Sequence, residues 1–183
     1  MFYRKLSTLS LLSALTVAAV ILPGVSLSTQ AQGLPGLTIF SGVDRADQLG
    51  YRLDYFGRPG GRDRYRLRIP STKMQVAASE FFVDYPDTYE GRFNADKVRL
   101  KVNGDEVALE DVVWDQDNRV IEIYPTEPVP ANTRIEIVLS DVQNPRNVGI
   151  HYFNASVISP GDVPLRRYVG TWIVSIGDNG TGR

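Results

Sequence analysis

Apolar and polar residues alternate one by one over much of this chain. Tyr65, Leu67 and Ile69 alternate with Arg64, Arg66 and Arg68 until Pro70 ends the run. Val98, Leu100 and Val102 alternate with Lys97, Arg99 and Lys101, and Ile135, Ile137 and Leu139 with Arg134, Glu136 and Val138. A period of two sends successive side chains to opposite faces of an extended strand. Shorter runs of the same character are Glu80–Tyr85, Val107–Leu109, Val112–Trp114, Val120–Tyr124, Ile150–Ile158 and Gly170–Ile176. Turn residues separate them. Asn103-Gly104 is the strongest short hairpin signal a sequence carries, and Asp115–Asn118, Asn144-Pro145 and Pro160-Gly161 are turns by composition. Pro125, Pro128 and Pro130 mark a crossing segment that does not fit a central strand. No stretch sustains a helical period. Seven to nine short strands at spacings near about ten residues predict an all-β fold, an antiparallel Ig-like β-sandwich.

The start of the chain reads differently. Arg4 and Lys5 precede an uncharged, apolar or hydroxylated run from Leu6 to Leu22, Pro23-Gly24 breaks any helix, and Thr29-Gln30-Ala31 is a small-x-small cleavage pattern. That three-part order predicts a signal peptide over residues 1–31 and export of a chain beginning at Gln32. An uncleaved leader would be the expected membrane contact. Residues 32–62 read as a linker and N-terminal extension, with weak apolar runs at Leu37–Phe40 and Leu49–Tyr55 that fit short strands and a turn at Arg58–Arg62. The sandwich is expected over 63–177, with a flexible tail over 178–183.

Composition narrows the chemistry. The chain has 183 residues, no cysteine, one histidine (His151) and a formal net charge of −1. Disulfides, thiol nucleophiles, iron–sulfur clusters and cysteine zinc sites are excluded, as is a multi-histidine metal site within one chain. Balanced charge argues against a nucleic-acid binder. No cofactor, metal or catalytic constellation is legible. Asp115–Asn118 starts like a calcium loop, but Arg119 and Val120 stand where an oxygen ligand and a glycine are needed. Asp84, Asp87 and Glu90 are candidates for a looser calcium site.

Further motifs carry a family resemblance. Tyr65-Arg-Leu-Arg-Ile-Pro70, Asp84-Tyr-Pro86 with Gly91 and Phe93, Val113-Trp-Asp115 and Ile121-Glu-Ile-Tyr-Pro125 form its first part. Pro128–Thr133, Val142-Gln-Asn-Pro145 with Gly149, Pro160-Gly-Asp162, Pro164–Tyr168 and Gly170-Thr-Trp172 complete it. Over roughly residues 60 to 176 the chain resembles the exported cyanobacterial family catalogued as domain of unknown function 2808. The resemblance implies a cell-envelope, periplasmic or thylakoid-lumen protein, with no activity and no catalytic residue to carry over.

Two candidate surfaces remain. Arg64, Arg66 and Arg68 project from one side of one strand, and Lys97, Arg99 and Lys101 from another. Were those strands neighbours, they would present a face matched to a carboxylated or sulfated polymer, since arginine binds such oxyanions bidentately. Glu122 and Glu136, outward by the same alternation, are candidates to pair with that face. The loop Tyr85–Phe93 places Tyr85, Tyr89, Glu90 and Arg92 together, the residue types of a sugar contact. Trp114 and Trp172 read as core. The expectation is a non-enzymatic envelope module, binding or structural, with a polymer or protein partner. The alternatives are a carbohydrate- or anionic-polymer-binding domain and a small hydrolase using paired carboxylates.

Overall fold

The computed structural model describes residues 42–161 and 164–177. The expected signal peptide, the Leu37–Phe40 run and the tail lie outside them. Among the described residues eleven strands form: β1 (Gln48–Leu49), β2 (Tyr51–Leu53), β3 (Arg62–Ile69), β4 (Glu80–Asp84), β5 (Val98–Val102), β6 (Asp105–Val107), β7 (Leu109–Asp115), β8 (Val120–Pro125), β9 (Ile135–Gln143), β10 (Gly149–Ile158) and β11 (Arg166–Ile176). They build a six-stranded sheet, β1-β11-β10-β4-β8-β7, and a five-stranded sheet, β2-β3-β9-β5-β6. Every pairing is antiparallel except β1 with β11. The fold is thus an all-β, Ig-like sandwich.

The alternating strands do what their period dictates. Tyr65, Leu67 and Ile69 of β3, Val98 and Leu100 of β5, and Ile135, Ile137 and Leu139 of β9 are buried between the sheets. Phe81 and Val83 of β4, Ile121 and Ile123 of β8, Phe153 and Val157 of β10, and Trp172 and Val174 of β11 face them. Trp172 is fully buried, and its indole N–H donates to the Arg68 carbonyl, 3.0 Å away. Trp114 sits at the rim of the core, partly buried. Asn103 and Gly104 both take positive φ, 54° and 109°, and close the β5–β6 hairpin.

The stretch expected to be linker and extension supplies β1 and β2, whose short, Gly-interrupted pattern is faint in sequence. Their role is to finish the edges. Gln48–Leu53 adds to the six-stranded sheet, crosses at Gly50 and adds to the five-stranded sheet. Asp105–Asp115 does the same on the opposite side, crossing at Ala108. Each side of the sandwich is closed by a segment that switches sheets, which leaves less open ladder to recruit another chain. β3 also begins earlier than its apolar pattern. Asp63 is buried, and its carboxylate accepts the backbone N–H groups of Tyr55, Gly57 and Arg64 at 2.9, 2.7 and 2.7 Å. A charged residue thereby fills an inward position by capping the turn that leads into the strand.

Candidate binding face

The outer face of the five-stranded sheet is where the arginines emerge. β3 and β5 are not neighbours: β9 runs between them and inserts Glu136 into the cationic surface. Pairing across the sheet sets Arg52, Arg66, Val138 and Arg99 in one row, and Arg68, Glu136, Lys101 and Glu106 in the next. Two carboxylates hold Arg64, Arg66 and Arg68. Asp54 lies 3.0 Å from Arg66, 3.4 Å from Arg52 and 3.7 Å from Arg64. Glu136 lies 3.2 Å from Arg66 and 3.1 Å from Arg68. The Arg66 side chain, 25% exposed, is thus forked between two acids and serves the sheet more than a ligand. Glu122, by contrast, lies on β8 in the other sheet, where it accepts a hydrogen bond from the Tyr124 hydroxyl at 2.5 Å.

Toward the β5–β6 turn two cations stand without an ion pair among the described residues, although Glu136 and Glu106 flank Lys101 across the ladder. There Arg68, Lys101, Arg134 and Glu136, with Gly104 and Ile135, line a depression of about 420 Å³. Among the described residues, Lys101 and Arg134 enter no ion pair, and Glu136 is already shared by two arginines. Arg134 is fixed by the turn itself: its backbone N–H donates to the Asn103 side-chain oxygen at 3.0 Å, and the Asn103 backbone N–H donates to the Arg134 carbonyl at 2.8 Å. Its guanidinium makes one long contact, 3.5 Å to the Asn103 carbonyl. A guanidinium has five N–H donors and an ammonium three, so most of this donor capacity faces solvent. Sequence alternation pointed at Arg64, Arg66 and Arg68 and at Lys97, Arg99 and Lys101; of these, Arg68 and Lys101 line the depression. Arg134 was missed as a site residue because it precedes β9, and the pairing of β9 with β5 is what brings it to the depression that Lys101 lines.

The Tyr85–Phe93 loop turns its rings inward. Tyr85 and Tyr89 are 8% and 3% exposed. Tyr89 stacks on Phe93 with centroids 5.4 Å apart and meets Phe153 edge-on at 4.9 Å. Its hydroxyl lies 2.9 Å from that of Tyr65, which donates to the Asn144 side-chain oxygen at 2.5 Å. Since the one Tyr65 proton goes to Asn144, Tyr89 is the donor in the first bond. Burial pushes both phenol pKa values upward, so neither ionises near neutrality. The Tyr85 hydroxyl accepts the Trp114 indole N–H at 2.8 Å. Gly91 is required here, because a Cβ would stand 2.4 Å from the Tyr89 ring. The expected sugar contact therefore loses its flat ring faces to the core. Glu90 and Arg92 stay at the surface, and with Tyr85, Tyr89 and Trp114 they line a depression of about 380 Å³.

The remaining candidates are dispersed. Asp84 pairs with Arg166, while Asp87 and Glu90 are exposed on the loop, and among the described residues no three metal-ligating side chains gather. The Asp115 carboxylate accepts the backbone and side-chain N–H groups of Asn118 at 2.9 and 2.7 Å, which makes the failed calcium loop a hydrogen-bonded turn. His151 is buried edge-on against Tyr89 with centroids 5.1 Å apart, and neither ring nitrogen has a partner. Burial holds its pKa below the ordinary 6.5. Three depressions are lined by one carboxylate each, Glu127, Glu90 and Glu136. Glycoside hydrolysis by paired carboxylates needs two on one cleft.

A family described as "Protein of unknown function (DUF2808)" matches residues 37–176. No curated protein matches the sequence. Among solved structures, the bacterial hydrophobin BslA is similar at a TM-score of 0.46 and 11% identity, over 71% of this chain and 92% of that one. The major pilin subunit BcpA of Bacillus cereus is similar at 0.41 and 12%, over 69% of this chain, which spans 39% of the pilin's length. The collagen-binding domain of a Staphylococcus aureus adhesin is similar at 0.38 and 7%, over 69% of this chain and 95% of that domain.

Proposed function

The chain belongs to the DUF2808 family of proteins of unknown function, and from that premise we propose that it is a non-enzymatic, exported module of the cell envelope that binds an anionic polymer through the five-stranded sheet. The observation that carries the reading is the depression where Arg68, Lys101 and Arg134 converge with Glu136 as the one carboxylate lining it. Export is supported by the charged, apolar and small-x-small order of residues 1–31. The polymer class follows from chemistry: a planar guanidinium takes carboxylate or sulfate by two parallel bonds, and an ammonium adds a point charge. Exposed charge contacts are each worth only about 0.2–1 kcal/mol, so one sugar acid binds weakly. A repeating polyanion gains through many linked contacts.

The test is retention on immobilised sulfated and uronic-acid polysaccharides. The protein should be held at low ionic strength and released as salt rises, because screening shortens to about 8 Å at physiological ionic strength. Failure to be retained on either matrix at low salt would overturn the reading. Exported material should begin at Gln32, and N-terminal sequencing that finds an intact Met1 in membranes would refute the cleavage.

A further inference from the structure

The outer face of the six-stranded sheet has the opposite character. Its pairing rows place Asp115, Val120, Asp84 and Asn154 side by side, then Val113, Glu122, Phe82 and Ser156. Asp111 lies opposite Tyr124 in the following row. The sheet's carboxylates therefore cluster along β4, β8 and β7. Arg166 is seated among them, over the Phe82 ring at 4.2 Å and paired with Asp84. Toward β10 and β11 the same face turns apolar and aromatic. Ile150, Tyr152 and Tyr168 are 60%, 46% and 48% exposed, large values for such side chains.

From these two faces we infer that the acidic, aromatic face of one molecule docks on the basic face of a second copy. The inference rests on the reading of the basic face as an anion-binding surface, and it assigns that surface a protein partner. The complementarity has three parts. Asp111, Glu122 and their neighbours supply carboxylates to Lys101 and Arg134, while Arg99 is already paired with Glu106 at 3.2 Å. Tyr152 and Tyr168 offer ring faces on which guanidinium groups stack. The basic face has its own apolar centre in Val138, buried on the outer side of β9 and flanked across the ladder by Arg66 and Arg99. The size is adequate. The smaller, five-stranded face sets the limit. Five strands at about 4.8 Å, each about six residues long, present on the order of 500 Å² before side-chain relief. That is enough for a weak, salt-sensitive contact, below the roughly 800 Å² per partner of a standard interface. Two different patches are involved, so each copy keeps one free face and the contact extends into a row instead of closing as a two-fold dimer.

Sedimentation velocity on the protein and two neutralising variants tests this. Glu80→Gln/Asp111→Asn/Tyr152→Ser weakens the acidic face while sparing the Glu122–Tyr124 and Asp84–Arg166 contacts; Lys101→Gln/Arg134→Gln weakens the basic face. At low salt the wild type should form species that grow beyond dimers with concentration and dissociate as salt is added. Each variant alone should sediment as a monomer. Their equimolar mixture should stop at a dimer, since one partner has only a working basic face and the other only a working acidic face. A wild type that stays monomeric at every concentration and salt, an acidic-face variant that associates like wild type, or a mixture that grows past dimers would each overturn the inference. The polymer reading fails separately. The acidic-face variant should be retained on a polyanion as wild type is; association without any retention would sink the polymer and keep the self-contact, and retention by a strict monomer would do the reverse.

Discussion

The aromatic loop Tyr85–Phe93 and the cationic strand face have the same claim to a ligand when read as residue types. In the folded molecule they part company. At the loop, the polar atoms of Tyr65, Tyr85, Tyr89 and Asn144 are used up by one another and by the Trp114 indole, and the rings fill the end of the core. On the strand face, Asp54 and Glu136 occupy Arg66, but Lys101 and Arg134 keep their donors. Unspent hydrogen-bonding capacity separates a candidate site from a structural cluster, and residue identity alone does not report it.

The sharpest way to break that contrast is at the loop. Tyr89→Ala removes a buried ring and leaves the Tyr65 hydroxyl without its donor, and should cost about 3–5 kcal/mol of stability. Below the variant's melting point, polymer retention should be unchanged. A variant that melts like wild type but loses retention would make the loop the site.

The basic face splits in the same way. Arg66→Gln should cost about 1 kcal/mol, a modest figure because the forked pairs are partly exposed to solvent. It should leave retention nearly intact, since Arg66 is already committed to Asp54 and Glu136. Thermal unfolding and salt elution of that one variant measure both halves. Retention lost with stability unchanged would return the binding role to the middle of β3.

A smaller effect sharpens the account of the closed end through pH. Folding holds His151 neutral, with its pKa below 6.5. The unfolded chain therefore takes up a proton near pH 6.5 that the folded chain refuses, so stability is complete above that pH and declines as pH falls below it. His151→Phe should flatten this part of the melting-temperature profile and leave retention alone. A profile as steep in the variant as in wild type would place the sensitivity elsewhere.

Much of the fold was legible because the strands near the middle of the sheets carry strict period-two patterns. Val98–Val102 and Ile135–Leu139 show it in sequence, and the Asn103-Gly104 turn fixes their hairpin neighbour. β1, β2 and the start of β3 were faint for a physical reason. β1 and β2 are short edge segments held by backbone pairing, and the start of β3 is held by the Asp63 carboxylate, neither of which apolar periodicity registers. The candidate site was half legible. Alternation put the arginines outward, but β9 lies between β3 and β5, and that order is a long-range property. Glu136 was legible as a partner for that face, and the ladder seats it on Arg66 and Arg68; the approach of Arg134 to Lys101 follows from the strand order.

If polyanions bind the cationic depression at the β5–β6 turn while the rest of the basic face serves the sheet, Lys101 and Arg134 carry the retention. Salt-gradient elution of Lys101→Gln/Arg134→Gln from an immobilised polyanion, beside wild type, tests it most directly. Both residues lie on the outer surface, where a substitution changes stability by no more than about 0.5 kcal/mol each, so the variant should melt with wild type. The account predicts that wild type is retained and the folded variant passes through at low salt; a folded variant that elutes with wild type would contradict it.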